Sequence, residues 1–282
     1  MSFRTILRLG RVSNLPTVWS NALAGALLAA GAPVTPWPLF EAALALSLFY
    51  IGGMWLNDAF DAEVDARERK ERPIPAGEIG RASVFVVGVL LLASGLAIGF
   101  ALGVAAGAAA AVLTVAVLLY DWAHKKTPLS PLVMGAARFL CYVVAALAVG
   151  ALSPPVLIGA SGLFAYVVGL TYAARHEAGN DLGSAWPLAV LLLPVAIALG
   201  FAGTDPAALA FCAGLLVVMG LAVRRLIRRA PGDVPRAVVM LIAGISLYDA
   251  ALIAGAGLPL LALLGVVAFV LTLVLQRLAP GT

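Results

Sequence analysis

Charged residues are scarce in this chain: Lys, Arg, Asp and Glu make up only 11% of its 282 residues. Hydrophobic residues make up 63%, and the mean hydropathy is +1.05. A soluble domain of this size needs more polar surface than this composition can supply, so the composition excludes a soluble globular protein. We therefore predict an integral membrane protein.

Cysteine and histidine are also scarce, with two residues of each type. Cys141 and Cys212 lie alone in apolar segments, without the spacing of metal ligands, so we predict small core residues with no chemical role. The scarcity of His and Cys leaves oxygen atoms as the ligands of any metal site.

Long apolar runs are the main feature that is present. Ten of them are close to the roughly 17 to 25 residues that a transmembrane helix needs. They lie near residues 13–31, 38–56, 82–100, 103–120, 132–151, 154–174, 186–202, 206–223, 236–255 and 258–276. Because the runs are continuous and rich in Leu and Ala, we predict an all-α, polytopic transmembrane helical bundle. We expect residues 1–282 to form one domain, with a core of 1–255 and an additional C-terminal helix over 258–276.

The basic residues predict the orientation. If the runs alternate across the bilayer, all 18 Lys and Arg residues fall on or next to one side. The positive-inside rule makes that side cytoplasmic, together with both termini and the polar connections, most simply in a bacterial inner membrane. The net charge of +4 comes from these basic residues, which would lie next to membrane lipid. We therefore predict no nucleic-acid partner.

The first polar connection carries three carboxylates at helical spacing. Asp58, Asp61 and Asp65 recur at i, i+3 and i+7, which places them on one side of a helix that continues out of the second run. Oxygen ligands of this kind suit Mg²⁺, which commonly joins carboxylates to substrate phosphates. The alternative is a solvated acidic helix end whose charge is balanced by nearby basic residues: Arg67, Arg69, Lys70 and Arg72.

Two further connections share that side of the membrane. Glu177 and Asp181 stand at i, i+4 after the sixth run, with Arg175 beside them, although a capped helix end has the same pattern. Lys125 and Lys126 suit either a lipid anchor or an anion site. Arg138 needs a partner or a cavity, because a cation within a membrane helix is costly. Together these groups describe a site for a magnesium diphosphate.

These motifs resemble those of the UbiA superfamily of intramembrane prenyltransferases. The stretch NDAFDAEVDARERKERPIPAG is similar to the first family signature, which Asn57, Asp58, Asp61, Asp65, Arg72, Pro73 and Gly77 supply here. YDWAHKKT is similar to the family's loop of Tyr, a basic pair and Thr, and EAGND is similar to its second acidic motif. The resemblance implies nine to ten helices around a central cavity that opens near the cytoplasmic face.

The resemblance also implies a reaction: Mg²⁺-dependent transfer of an isoprenyl chain from its diphosphate to a small-molecule acceptor. Asp58, Asp61 and Asp65, with Glu177 and Asp181, are then the metal ligands. Arg72, Lys125, Lys126 and Arg138 would neutralise the remaining diphosphate oxygens.

Two departures from the family pattern stand out. Family members usually have nine transmembrane helices, whereas residues 258–276 predict a tenth, which we expect to pack outside the catalytic bundle. Asp249 leaves open the alternative that one of the last two segments is re-entrant, because a buried carboxylate needs a partner or water. The second acidic motif is also abbreviated.

Aromatic and amide side chains complete the set of candidates. Tyr120 and Tyr172 would face the allylic cation through cation-π attraction, or else belong to the interfacial aromatic belt. Asn14 and Asn21 lie near one face of the first helix and either reach the diphosphate headgroup or bond neighbouring helices.

Three other functions compete with prenyl transfer. An intramembrane terpene cyclase would use the same metal chemistry without an external acceptor. A CDP-alcohol phosphotransferase requires an Asp-Gly-x-x-Ala-Arg signature that this sequence lacks. A transporter would place its charges near the membrane midplane. The sequence does not choose the acceptor, the isoprenoid chain length or the oligomeric state.

Overall fold

The computed structural model describes residues 2–125, 127–174 and 186–278. Over these ranges the chain is helical and contains no β-strand, which confirms the predicted all-α class. Four of the predicted site residues, Lys126, Arg175, Glu177 and Asp181, lie outside the described ranges.

Eleven α-helices make up the described part of the chain. They are α1 (Phe3–Leu9), α2 (Leu15–Ala30), α3 (Pro36–Glu68), α4 (Arg81–Ala101), α5 (Val104–Ala123), α6 (Ser130–Val149), α7 (Pro154–Ala174), α8 (Leu192–Ala202), α9 (Pro206–Arg228), α10 (Asp233–Gly255) and α11 (Pro259–Leu278). Short 3₁₀ segments, Val12–Asn14 and Trp186–Leu191, precede α2 and α8.

Each predicted apolar run overlaps an α-helix, although the run near 186–202 begins with the 3₁₀ segment Trp186–Leu191. Eight of the described helices are long and apolar enough to cross a membrane, whereas α2 and α8 are shorter. The short helix α1 was not predicted, because its seven residues are too few to form an apolar run. Both α10 and α11 are continuous helices of sufficient length, so the chain does not need a re-entrant last segment.

Helix α3 carries the first acidic motif on a continuous extension. It has 33 residues and is therefore roughly 50 Å long, well beyond a 30 Å hydrocarbon core. Its apolar first part is long enough to span, and its last turns present Asn57, Asp58, Asp61 and Asp65. The sequence predicted this continuation correctly.

The core surrounds α10. In the membrane-spanning part of α10, 83% of the residues are buried, whereas the corresponding share is 28% in α4, α9 and α11. Helices α2 and α6 pack especially closely at Gly25, where a Cβ atom would lie only 2.7 Å from the Tyr142 carbonyl oxygen. Small residues permit such close helix contacts in membranes. This contact brings the polar side chains of α2 and α6 together one turn away.

Candidate active site

Buried carboxylates at the end of α3 are held by cations from three separate segments. Asp58, Asp61 and Asp65 are 6%, 7% and 3% exposed. Arg72 Nη1 lies 2.6 Å from Asp58 Oδ1 and 3.6 Å from Asp65 Oδ2, so one guanidinium bridges two turns of the helix. Arg11 Nη2 approaches Asp58 Oδ1 to 3.7 Å. Burial of such charges is tolerated because they are paired.

The central carboxylate of the motif faces the α5–α6 connection. Lys125 Nζ lies 2.9 Å from Asp61 Oδ2 and 4.0 Å from Asp65 Oδ1, and His124 Nε2 lies 3.2 Å from Asp61 Oδ2. The Tyr120 and His124 rings stack, with centroids 5.0 Å apart. The sequence motifs of α3 and of the YDWAHKKT loop therefore meet in one place.

The Arg72 loop leaves the helix and folds back over it. Burial, together with the neighbouring Arg11, lowers the pKa of the Arg72 guanidinium, while Asp58 and Asp65 oppose that shift. A guanidinium nevertheless stays charged throughout the physiological range. Arg72 is thus a fixed positive charge beside the carboxylates.

A polar cavity of about 470 Å³ opens beside these ion pairs. Many of the predicted site residues line it: Asn14, Asn57, Asp61, Asp65, Arg72, Tyr120, Lys125 and Arg138. Asp58 contributes through its contact with Arg72. The cavity is thus a pocket lined by both anionic and cationic side chains, as a metal–diphosphate complex requires.

A second, apolar cavity of about 80 Å³ adjoins the polar one. The two cavities share five lining residues: Tyr50, Met54, Tyr120, Met134 and Arg138. We call this boundary the neck. Arg138 lies over the Tyr50 ring, 5.6 Å from its centroid. Beyond the neck, the apolar cavity is walled by residues such as Leu46, Phe49 and Leu113.

Two predicted residues lie away from the cavity. On α7 the lining residues Val167, Leu170, Thr171 and Ala174 follow helical spacing. Tyr172 lies on a different face of α7 and packs against the hydrophobic core. It lines neither the polar nor the apolar cavity. Asn21 is fully buried and bonds Arg138 and Asp249 on neighbouring helices, which is the second of its two predicted roles.

Sequence reasoning missed several residues of the site. Arg11 reaches Asp58 from a left-handed backbone conformation (φ 41°) just after α1, and His124 joins Asp61. Asp121 is 3% exposed and accepts a hydrogen bond from Asn57 Nδ2 at 3.2 Å. Its other oxygen is buried without a hydrogen-bond partner among the described residues, and Asp121 is one of the residues that line the apolar cavity. Arg11 lies outside the quoted motifs, and Asp121 and His124 lie within YDWAHKKT at positions to which the resemblance gave no role. Their contacts depend on tertiary packing.

The carboxylate oxygens of the acidic motif are the type of ligand that a hard divalent cation such as Mg²⁺ prefers. Three carboxylates lie along one helix face, and Glu177 and Asp181 fall outside the described residues. Within the described ranges no three acidic, His or Cys side chains already converge on a single metal position. Metal binding would therefore replace the contacts that Arg72 and Lys125 now make with the carboxylates.

The sequence profile of the UbiA prenyltransferase family matches residues 18–279. Curated relatives include digeranylgeranylglyceryl phosphate synthase from Methanoculleus marisnigri, 32% identical over 45% of this chain and 45% of the relative. The enzyme of the same name from Thermococcus gammatolerans is 29% identical over 62% of each chain. The alignments thus span about half to three fifths of these relatives.

Solved structures show the same fold. An apo UbiA homolog from Aeropyrum pernix K1 superposes with a TM-score of 0.70 at 19% identity, over 86% of this chain and 97% of the other. A UbiA homolog from Archaeoglobus fulgidus bound to GPP and Mg²⁺ superposes with a TM-score of 0.60 at 13% identity, over 90% and 98%. Profile, fold and motif geometry agree that this integral membrane protein belongs to the UbiA prenyltransferase family.

Proposed function

We propose that the protein transfers an isoprenyl chain from an isoprenyl diphosphate to a small-molecule acceptor within the membrane, with Mg²⁺ as cofactor. The observation that carries this proposal is the neck, where a charged cavity with the Asp58, Asp61 and Asp65 motif adjoins an apolar one. A diphosphate headgroup suits the first cavity and a hydrocarbon chain the second. The reactive carbon would then lie at the boundary.

The acidic motif would hold the metal. Asp58, Asp61 and Asp65, with Glu177 and Asp181 as a second set, supply the oxygen ligands that Mg²⁺ prefers. When bound, Mg²⁺ neutralises charge that develops on the departing diphosphate. The Archaeoglobus fulgidus homolog with GPP and Mg²⁺ supports this assignment.

The chain's own cations would stabilise the leaving group. Breakage of the allylic C–O bond increases the negative charge on diphosphate, so fixed positive charges favour the transition state over the substrate. Arg11, Arg72, Lys125 and Arg138 line the cavity and would serve this purpose. Carboxylate contacts orient the first three of them before substrate arrives. From the sequence alone we also propose Lys126, the second residue of the basic pair.

The neck would protect the reacting carbon. Tyr120 and Tyr50 present aromatic rings there, and a ring face attracts a cation by about 0.5 to 2 kcal/mol. The apolar wall beyond excludes water, which would otherwise capture the cation. The acceptor's nucleophile then bonds to this carbon and releases its proton.

A phosphate-bearing glycerol lipid is the acceptor that we favour. The curated relatives are named for the synthesis of digeranylgeranylglyceryl phosphate. Arg69 adds an exposed cation to the polar cavity, where it is available to a second anionic headgroup. An uncharged acceptor would leave this cation without a substrate partner.

The topology is part of the proposal. We infer that residues 1–282 form one domain and that the cavity and both termini face the cytoplasm, because Lys and Arg collect on that side. A bacterial inner membrane stays a prediction, since the compared relatives are archaeal.

Product analysis tests the function. Purified protein would receive Mg²⁺ and isoprenyl diphosphates of several lengths, with glycerol phosphate lipids or with aromatic acceptors, and products would be identified by mass spectrometry. We expect diphosphate release and prenylation of the glycerol lipid. Cyclised products from isoprenyl diphosphate alone would establish a terpene cyclase instead, and prenylated aromatics would refute the favoured acceptor.

A further inference from the structure

A carboxylate is fully buried in the middle of α10. Asp249 has 0% exposure. The Ser20 hydroxyl and the Asn21 amide both donate to its Oδ2, and the Tyr142 hydroxyl donates to its Oδ1. Three donors on two oxygens are what an acceptor-only carboxylate needs.

The Asn21 side chain connects this carboxylate to the site. Its Nδ2 donates to Asp249 Oδ2 at 2.8 Å, and its Oδ1 accepts from Arg138 Nη1 at 2.7 Å. An amide nitrogen cannot accept and a guanidinium cannot accept, so only one amide orientation serves both neighbours. The amide thus links a buried anion to a cation at the neck.

Arg138 lies where the two cavities meet. Its hydrogen-bonding partners among the described residues are neutral: Asn21 Oδ1 and, at 3.3 Å, Thr17 Oγ1. The guanidinium also lies over the Tyr50 ring. The anion that these contacts reach is Asp249, one amide away.

We propose that Asp249 is a positioning residue that acts through Asn21 to hold the Arg138 guanidinium at the neck. This inference rests on the proposed function, in which Arg138 faces the bond between the isoprenyl chain and the diphosphate. A buried carboxylate is costly in a membrane helix, and packing alone would be achieved by an apolar residue. This cost is explained if the Asp249 carboxylate orients Arg138, whose charge the reaction uses.

The test is a double-mutant cycle on diphosphate release from isoprenyl diphosphate. The variants are Asp249→Asn, Arg138→Gln and the double variant. We expect each single substitution to lower kcat/KM on the order of ten- to a hundredfold, as for loss of a charged hydrogen bond. If Asp249 acts through Arg138, the double variant is no worse than Arg138→Gln. Multiplied losses would overturn the inference.

Tyr248→Phe is the matched control. Tyr248 is also fully buried on α10, and its hydroxyl donates to the Gly159 carbonyl at 2.8 Å, away from Arg138. We expect it to lower the unfolding temperature and to change kcat/KM by no more than about twofold. An activity loss equal to that of Asp249→Asn would refute positioning.

Two outcomes separate this inference from the proposed function. If the wild-type protein releases no diphosphate from any isoprenyl diphosphate, the proposed function fails first. If Asp249→Asn does not fold, the cycle is run with Asp249→Ser, which removes the carboxylate that Asn21 contacts and leaves the Asn21–Arg138 hydrogen bond in place. The same non-additivity is then expected, and additive losses again overturn the inference.

Discussion

Gln276, near the end of α11, donates a hydrogen bond to Asn14, the residue just before α2. Gln276 Nε2 lies 2.8 Å from Asn14 Oδ1, and both side chains are buried. Because Asn14 lines the polar cavity, the last helix contacts the site. Within the described part of the chain, α11 contributes no residue to either cavity of the site, in line with a helix that packs outside the catalytic bundle, but its motif-free sequence gave no sign of the amide pair.

This contact predicts that Gln276→Leu affects substrate binding as well as stability. Leucine removes the donor to Asn14 Oδ1, so we expect a loss of about 1 kcal/mol in unfolding free energy. We also expect a several-fold rise in KM for the isoprenyl diphosphate, because Asn14 loses its fixed orientation. Thermal unfolding and steady-state kinetics in detergent measure the two effects.

The control for that variant lies one turn earlier on the same helix. Thr272 is buried, and its hydroxyl donates to the Ala268 carbonyl within α11. Thr272→Val should keep the wild-type KM. An unchanged KM in Gln276→Leu would show that α11 only supports the fold.

The first acidic motif should be essential. Asp58→Asn and Asp61→Asn are each expected to lower kcat on the order of a hundredfold or more, because both carboxylates are proposed metal ligands. Chelation of Mg²⁺ should have the same effect. Glu63→Gln provides a control on the same helix, since Glu63 is mostly exposed and pairs with the exposed Arg81. Full activity of both Asp variants would rule out the mechanism.

The first motif was predictable because its information is local. The i, i+3, i+7 spacing of Asp58, Asp61 and Asp65 fixes one helix face, and the structure places all three there. The extension of α3 beyond the bilayer follows from its charged composition. Helical spacing does not depend on the neighbouring helices, so a sequence pattern is sufficient.

Contacts between helices were not predictable in the same way. Helix α10 is apolar around most of its circumference, so its sequence does not say which helix Asp249 faces. Arg11 reaches Asp58 only because the backbone after α1 adopts a left-handed conformation. Tyr172 has the right position along α7 for the site, but it lies on a helix face that packs against the hydrophobic core. Such contacts require the packed structure.

The two acidic motifs should contribute unequally. The second motif is abbreviated, so we expect Asp181→Asn to lower kcat less than Asp61→Asn, with Glu177→Gln between them. Both second-motif residues lie outside the described ranges, and this stays a prediction from sequence. Steady-state kinetics with varied Mg²⁺ concentration provide the comparison. Equal losses at all three positions would show that the second motif is as important as the first.

Glu78 should contribute to stability against unfolding in a pH-dependent way and should also help to position Arg11. Thr5 Oγ1 donates to Glu78 Oε2 at 2.6 Å and Arg8 Nη1 to Oε1 at 3.1 Å, which ties α1 to the loop that carries Arg72. The Thr5 hydrogen bond, aided by Arg8, holds the pKa of Glu78 below its ordinary 4.5. The folded state therefore binds this proton less readily than the unfolded chain.

The sign of the effect follows from that lowered pKa. The stabilising contribution of Glu78 is fully present above pH 4.5 and disappears as the pH falls through the lower pKa of the folded state. Glu78→Gln should accordingly unfold at a lower temperature than wild type at neutral pH, and the difference should vanish in strong acid. The variant should also raise KM for the isoprenyl diphosphate at neutral pH, because α1 no longer fixes Arg11. A temperature difference that persists unchanged in strong acid would show that Glu78 acts through packing and not through its charge.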